Sequence, residues 1–123
     1  MSTQQHATIA LAKKKCISLT TFKRDGSAVS APVWFNVIGD TIAVTTPRDS
    51  WKVKRIERNP RVEFAACTQR GRVTGATFAG TARILPDHEY APIEAAKKRR
   101  YVSFRIIRLV HRDQVAIEIT PDT

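Results

Sequence analysis

Short apolar segments separated by turn-forming residues run through most of the chain. β-branched and aromatic side chains are frequent in these segments, which favours strands over helices. Asp25-Gly26 and Gly39-Asp40 mark tight turns between consecutive segments, so the first three strands are predicted to form an antiparallel meander. The predicted strands are residues 15–22, 28–38, 41–46, 61–68, 76–85 and 114–120.

Helical spacing replaces this pattern in two regions. Asp49 and Ser50 are good N-cap residues and Asn59-Pro60 disfavours continuation, so a short helix is predicted over residues 51–58. A second helical region is predicted over residues 86–112, and the first dozen residues have weak helical character. Six short strands with few helices predict a closed or nearly closed antiparallel β-barrel.

Two irregularities are predicted within this pattern. Pro32 lies inside the second strand and has no N–H, which indicates a sheet edge or a bulge at that position. The stretch from Gln69 to Gly75 contains two glycines and two arginines and is predicted to be a loop.

Length and composition indicate one globular domain, residues 1–123, because 42% of the residues are apolar and 26% are charged. The N-terminal residues are polar and no apolar stretch could span a bilayer, so we expect a cytoplasmic protein. Cys16 and Cys67 lie in apolar segments, and in a reducing compartment they are expected to be buried thiols.

The charge is strongly positive, with 21 Lys and Arg against 11 Asp and Glu, a net charge of +10. Such an excess fits nucleic acid, an anionic membrane surface or an anionic small molecule as partner, or an evenly spread charge that serves solubility. The segment from Lys97 to Arg112 contains seven basic residues and no acid. It fits either a basic helix that binds nucleic acid or anionic lipid, or the solvated face of a helix that caps the barrel.

The junction between the third strand and the short helix is the strongest candidate site. The first turn of a helix presents unpaired N–H groups and a positive dipole end, both of which favour an anion. Hydroxyl and ammonium groups cluster around it, so a phosphate site and an ordinary capped, solvated basic helix both fit. These residues are Thr45, Thr46, Ser50, Lys52 and Lys54.

Two further segments are candidates for ligand contacts. The second strand contains Pro32, Val33 and Trp34, where backbone groups and an indole can contact a flat ligand, although an edge strand with a core aromatic fits equally. The loop with Arg70 and Arg72 can close over a ligand, or it is simply a basic turn.

Several chemistries are excluded by the absence of their motifs. The three histidines are isolated, no Cys or His pair has metal-ligand spacing, and no Gly-x-Ser-x-Gly elbow occurs. No metal ligand and no catalytic side chain is therefore assigned. A chain that can bind an anion but lacks its own nucleophile points to a cofactor that carries the chemistry.

The order of these motifs resembles the pyridoxamine 5′-phosphate oxidase-like (PPOX class) split-barrel superfamily. The resemblance covers about Lys15 to Ile119 and is closest to the branch of deazaflavin (F420)-dependent reductases. The segments that carry it are Ser-Ala-Pro-Val-Trp-Phe, Thr-Thr-Pro-Arg-Asp-Ser-Trp-Lys-Val-Lys-Arg-Ile and Asn-Pro-Arg-Val. It implies a mainly β, six-stranded antiparallel split β-barrel of the FMN-binding type and a homodimer with two interfacial cofactor sites.

The resemblance also implies a role for each candidate residue. Thr45, Thr46, Ser50 and Lys52 would hold the cofactor phosphate, with Lys54 nearby. Pro32, Val33 and Trp34 would line the ring, and Arg61 and Arg72 would reach the cofactor tail or the partner's site. Ser50 stands where many relatives have Arg, and Trp51 stands where the branch often has a small residue, which would alter the phosphate contact and narrow the site.

The function implied by the resemblance is hydride transfer from reduced F420 to an unsaturated or conjugated small molecule. The anionic tail of F420 matches the basic charge of the chain better than FMN does. An FMN-binding flavoprotein of the same fold is the alternative, and a basic module that binds nucleic acid or anionic lipid is the third.

Overall fold

The computed structural model describes residues 3–11, 14–86, 89 and 114–122. Two helices and six strands lie in these residues, and the predicted elements match them closely. They are α1 (Thr3–Leu11), β1 (Cys16–Phe22), β2 (Ala28–Ile38), β3 (Thr41–Pro47), α2 (Trp51–Arg58), β4 (Arg61–Cys67), β5 (Val73–Ile84) and β6 (Gln114–Pro121).

The six strands form one closed antiparallel barrel in the order β1-β2-β3-β6-β5-β4. The predicted meander of β1, β2 and β3 is confirmed, and Gly26 and Gly39 adopt positive φ values of 86° and 60° in its two turns. The mainly β, split-barrel fold expected from the sequence is also confirmed.

One strand boundary differs from the prediction. The loop expected to reach Gly75 ends earlier, because β5 already begins at Val73, which pairs with Cys67 across an irregularity in β4. Tertiary pairing therefore extends the strand through a glycine that the sequence pattern assigns to the loop. The predicted second helix lies almost wholly outside the described residues, as does the whole Lys97–Arg112 cluster.

The barrel interior is filled by apolar side chains from every strand. Phe64 of β4 stacks on Phe78 of β5 with 5.8 Å between ring centroids, and Phe35 of β2 is 1% exposed. Ile56 of α2 and Leu11 of α1 join the same core, so each helix covers part of the barrel. Burying side chains of this size stabilises the fold by roughly 1.5–3 kcal/mol each.

Pairing between β2 and β3 covers only part of β2. Residues 35–38 of β2 pair with β3, whereas the preceding residues 28–34 pair with β1 alone. Pro32 therefore lies where its strand has a neighbour on one side, as predicted from its missing N–H. β2 and β3 therefore separate where their pairing ends, which leaves a split between them at one end of the barrel.

Candidate functional site

The split between β2 and β3 lies beside most of the predicted site residues. The last paired residues at that end are Phe35 and Val44. Immediately beyond them are Trp34 on one strand and Thr45 on the other, and β3 continues into α2. The stretch predicted to line a ring and the stretch predicted to bind a phosphate are separate in sequence, and they therefore border the same opening.

A tight corner joins β3 to α2 and is organised around Ser50. The Ser50 backbone N–H donates to the Pro47 carbonyl at 3.1 Å, which turns the chain out of β3. Ser50 is the N-cap of α2, and its Oγ accepts from the Val53 N–H at 3.5 Å and from Thr46 Oγ1 at 3.4 Å. Neither bond uses the Ser50 O–H hydrogen, and the first turn of α2 contains no acid. The corner is therefore electropositive and suited to an anion.

The two threonines before this corner face opposite ways. Thr46 is 3% exposed and bonds to Ser50, whereas Thr45 alternates to the other face of β3 and is half-buried opposite Ala116. Thr46 therefore supports the cap from inside. A ligand phosphate at the helix end meets Ser50 before it meets Thr46.

Lys52 lies in the first turn of α2 and is half-buried. Burial lowers the pKa of its ammonium group, and the positive charge of Arg55 lowers that pKa further. Both effects disfavour the charged form, so an anion placed beside Lys52 would recover the lost interaction. A partly buried ammonium beside a helix N-terminus therefore suits an anion.

The predicted ring-lining residues divide between two faces of β2. Val33 packs against the barrel core, so only its backbone is available to a ligand. Pro32 and Trp34 lie on the opposite face, where Pro32 is exposed and Trp34 half-buried. The Trp34 indole N–H donates to the sulfur of Cys16, which fixes the edge of the ring that faces β1.

The two cysteines are confirmed as buried free thiols. Cys16 and Cys67 face each other across β1 and β4, next to Trp34. Burial raises the pKa of both thiols, so neither is poised as a thiolate nucleophile.

The loop between β4 and β5 approaches the ring-lining strand. A Cβ added to Gly71 would lie 3.6 Å from Pro32 Cδ, so the loop backbone borders the exposed face of β2. Thr68 fastens the loop, because its N–H donates to the Arg72 carbonyl at 2.9 Å and its Oγ1 accepts from the Arg72 N–H at 3.1 Å. Arg72 follows Gly71 in this loop and is exposed.

Arg61 lies at the other end of α2 from Ser50. Its guanidinium donates to Asp122 Oδ1 and to Thr81 Oγ1, each at 3.0 Å. This bond holds the pKa of the Asp122 carboxyl below its usual range. The structure thus gives Arg61 a role in tying Asp122, at the end of β6, to β4 and β5. Its reach to the cofactor tail or to the partner's site stays a prediction.

Lys54 is also separated from Lys52, because two helical positions place them roughly 200° apart around α2. Its Nζ lies 4.5 Å from the centroid of the Trp51 ring, a cation–π contact. Lys54 and Trp51 border a groove of about 310 Å³ between α2 and the β1–β2 hairpin, which we call the α2 groove. It is lined by Lys23, Arg24, Trp51, Lys54, Arg55 and Arg58.

The α2 groove was not among the predicted sites, although part of its signal is in the sequence. Positions 51, 54, 55 and 58 have the spacing of one helical face. The contribution of Lys23 and Arg24 is tertiary, since the hairpin meets α2 only in the folded chain. Arg58 makes that contact directly, by donating to the Phe22 carbonyl at 3.3 Å.

Two negative observations apply to the described residues only. No group of three or more His, Cys, Asp or Glu side chains is placed to hold a metal ion there. None of the helices in those residues is long and apolar enough to cross a membrane.

Known proteins with this architecture include several cofactor-binding types. An F420 reductase is 19% identical with a TM-score of 0.67, the alignment covering 94% of this chain and 93% of that one. A FAD-binding protein of Mesorhizobium loti is 17% identical with a TM-score of 0.73 and coverages of 99% and 90%. The heme storage protein HutZ of Vibrio cholerae is 14% identical with a TM-score of 0.75 and coverages of 100% and 92%.

No curated protein matches this chain at a significant level. At these identities the solved structures show a shared fold only. The sequence profile of the pyridoxamine 5′-phosphate oxidase family matches residues 2–123, almost the whole chain. Together with the closed six-stranded barrel, this match shows that the chain belongs to the pyridoxamine 5′-phosphate oxidase family.

Proposed function

We propose that this chain is an F420-dependent reductase that transfers a hydride from the reduced deazaflavin to an unsaturated or conjugated small molecule. The observation that carries the proposal is the α2 N-terminus, where Ser50 caps the helix and Lys52 is a half-buried ammonium. Family membership supports a flavin-like cofactor. An F420 reductase with the same fold supports the deazaflavin choice.

The chain's own residues have defined tasks in this proposal. The N–H groups of the first turn of α2 and the Ser50 O–H donate to the cofactor phosphate, and Lys52 neutralises its charge. The exposed face of β2, with Pro32 and Trp34, supports the ring from one side. The bound deazaflavin supplies the hydride, so the protein needs no nucleophile of its own.

Positioning is the main catalytic contribution we assign to the chain. Holding the acceptor against the ring makes a bimolecular hydride transfer effectively unimolecular. Excluding water strengthens the electrostatic interactions between the protein and the reacting groups. The loop that carries Arg72 borders Pro32 and is placed to cover a bound ring or acceptor. No described residue is required to donate a proton, because solvent can supply it.

A homodimer is part of the proposal. The exposed face of β2 around Pro32 is open to solvent in a single chain, and a ring bound there would be covered on one side only. A second copy that covers the other side would complete the site. Sedimentation analysis with and without cofactor tests this part, since a monomer at saturating cofactor would remove it.

The choice between F420 and FMN rests on charge. The chain carries a net +10, and the phosphodiester and oligoglutamate tail of F420 present more negative charge than the single phosphate of FMN. The FAD-binding neighbour supports the alternative, a flavoprotein that binds FMN at the same corner.

Direct binding distinguishes these two functions. Fluorescence titration of the purified protein with F420 and with FMN at physiological salt should give tighter binding of F420. Lys52→Ala should weaken that binding about tenfold or more, because a charge-assisted contact is lost. Lys14→Gln, which removes one exposed charge outside the candidate site, is the control.

Each outcome of the titration has a defined meaning. Tight F420 binding justifies a screen for oxidation of reduced F420 by conjugated acceptors. A preference for FMN replaces the reductase with the flavoprotein. Binding of neither cofactor, or an unchanged affinity in Lys52→Ala, contradicts the phosphate site itself.

A further inference from the structure

The α2 groove is a second cationic site that the proposed cofactor contacts do not use. Five of its six lining residues are Lys or Arg, and none is acidic. Trp51 at the first position of α2 is among them, but Ser50 and Lys52 are not, so the groove does not contain the two residues assigned to the cofactor phosphate. Arg55 stands at the boundary, since it lines the groove and its charge lowers the pKa of Lys52.

The acidic side chain of the hairpin, Asp25, interacts electrostatically with Lys23 but is not part of the groove lining. Asp25 accepts hydrogen bonds from the Ser27 N–H at 2.9 Å and from the Ser27 Oγ at 2.6 Å. These bonds hold the pKa of Asp25 below its usual value, so it stays ionised but is turned toward its own hairpin. The groove therefore gathers like charges without a compensating carboxylate in its lining, an arrangement that favours an anionic ligand.

Two of the cations are fixed by contacts within the groove. Arg58 donates to the Phe22 carbonyl at 3.3 Å, and Lys54 lies over the Trp51 ring at 4.5 Å. Both side chains lose rotamer freedom in these contacts before any ligand arrives. A ligand that meets them has less ordering entropy to overcome than one that meets mobile surface lysines.

Trp51 gives the groove an aromatic wall. Its side chain is 68% exposed at the first position of α2, although a tryptophan of a small monomeric fold is normally well buried. An exposed indole can stack on a flat ring, and cations beside it can contact phosphates attached to that ring. The volume of about 310 Å³ fits one small molecule and not an extended strand of nucleic acid.

We propose that the α2 groove binds a nucleoside polyphosphate, with the base against Trp51 and the phosphate chain against Lys54, Arg55 and Arg58. Lys23 and Arg24 reach the same chain from the hairpin. The site is separate from the cofactor phosphate corner, and it exists whether or not the chain uses F420.

Isothermal titration of the purified full chain with ATP, tripolyphosphate and adenosine tests this assignment. ATP should bind most tightly, tripolyphosphate more weakly, and adenosine at least a hundredfold more weakly than ATP, since it carries no charge. Trp51→Ala should lower the ATP affinity roughly tenfold through the lost stacking, and leave tripolyphosphate within about twofold.

Charge-removing variants locate the ligand. Lys54→Gln and Arg58→Gln should each weaken ATP about tenfold, as loss of one charge-assisted contact does. Lys14→Gln removes the same charge outside the groove and should leave ATP binding within about twofold. All three positions are exposed, and Arg58→Gln loses only one solvent-exposed hydrogen bond, to the Phe22 carbonyl, so little change in thermal unfolding is expected, and it is measured alongside.

Three results overturn the proposal. The first is absence of ATP binding at physiological salt. The second is equal weakening by Lys14→Gln and Arg58→Gln, which means that net charge alone attracts ATP. The third is that Lys52→Gln weakens ATP more than Arg58→Gln does, which places the phosphates at the α2 N-terminus.

Discussion

The N-cap of α2 allows stability and anion binding to be changed in opposite directions by one residue. Ser50→Asp keeps a side-chain oxygen that can accept from the first turn, because Asp caps helices about as well as Ser. It also places a negative charge at the positive end of the helix dipole, which favours the folded state. The same charge opposes a phosphate at that position, so we expect normal stability and impaired cofactor binding.

The size of the binding effect follows from Coulomb's law. A carboxylate about 4 Å from a phosphate of charge −2 is repelled by roughly 2 kcal/mol in water, or about 1.2 kcal/mol after screening by physiological salt. The dissociation constant of FMN, whose phosphate monoester carries close to that charge, should therefore rise roughly tenfold to thirtyfold. The phosphodiester of F420 carries a charge of −1, which halves the repulsion, so its dissociation constant should rise about threefold to sixfold. Ser50→Ala provides the comparison, since it removes the cap without adding charge.

The Ser50 cap contributes modestly to the free energy of unfolding. Its bond to the Val53 N–H is long, at 3.5 Å, so Ser50→Ala should cost about 0.5–1 kcal/mol, the lower half of the usual range. With an unfolding entropy of about 2.1 cal/mol/K per residue, a chain of 123 residues should lose roughly 2–4 °C in Tm. Ser50→Asp should match or exceed the wild-type Tm.

Thermal denaturation and cofactor fluorescence titration measure the two effects on the same samples. Lys14→Gln lowers the net charge by the same amount as Ser50→Asp and controls for long-range attraction. If Ser50→Asp binds the cofactor as tightly as wild type, the phosphate does not lie at the α2 N-terminus and the site assignment is wrong. If its Tm falls as far as that of Ser50→Ala, the capping argument fails instead.

Three further predictions concern the barrel, Lys52 and the thiols. Gly80→Ala should destabilise the protein by about 1–3 kcal/mol in chemical denaturation, because the new Cβ would lie 2.7 Å from the Thr120 carbonyl oxygen. Gly75→Ala is the control and should not destabilise the protein in this way, because its Cβ would meet Ala66 at an ordinary 3.5 Å. Equal effects of the two substitutions would count against this packing. Cofactor affinity should fall as the pH rises, and the fall should begin at a pH below the ordinary pKa of lysine, because burial lowers the pKa of Lys52 in the free protein and the phosphate binds its charged form. A Lys52→Gln variant with the same pH profile would contradict this. Both thiols should react slowly with an aromatic disulfide reagent at pH 8 and quickly in urea, because burial raises their pKa; a fast-reacting native thiol would show that one is accessible.

Local signals explain why so much of the fold was predictable. The bounds of α2 follow from the Ser50 cap and the Asn59-Pro60 stop, both of which act within one turn of the helix. The meander follows from two turns in which glycine has positive φ. These signals depend on neighbouring residues alone, so a linear pattern carries them completely.

Features set by distant parts of the chain were not predictable in this way. Val73, Thr74 and Gly75 join β5 because β4 offers a partner across an irregularity, and the glycine by itself indicates a loop. Arg61 is held by Asp122, whose position opposite it depends on how β4, β5 and β6 close the barrel.

The candidate site divides in the same manner. The corner at Ser50 is local, and the structure joins Ser50 to Thr46 and to the first turn of α2, which begins where the sequence predicts. Strand alternation alone would have shown that Val33 points into the core while Pro32 and Trp34 do not. The α2 groove could not be predicted from the sequence, because its two walls, the β1–β2 hairpin and α2, come together only in the folded chain.

The one-sided pairing of residues 28–34 has a consequence for solubility. A strand with unpaired N–H and carbonyl groups along one side is a template onto which other chains can add and aggregate. Pro32 interrupts that row of donors, and it does so without disturbing the ladder to β1. The proline thus allows one side of this strand to stay unpaired beside the candidate site, while it discourages the addition of further strands at the same place.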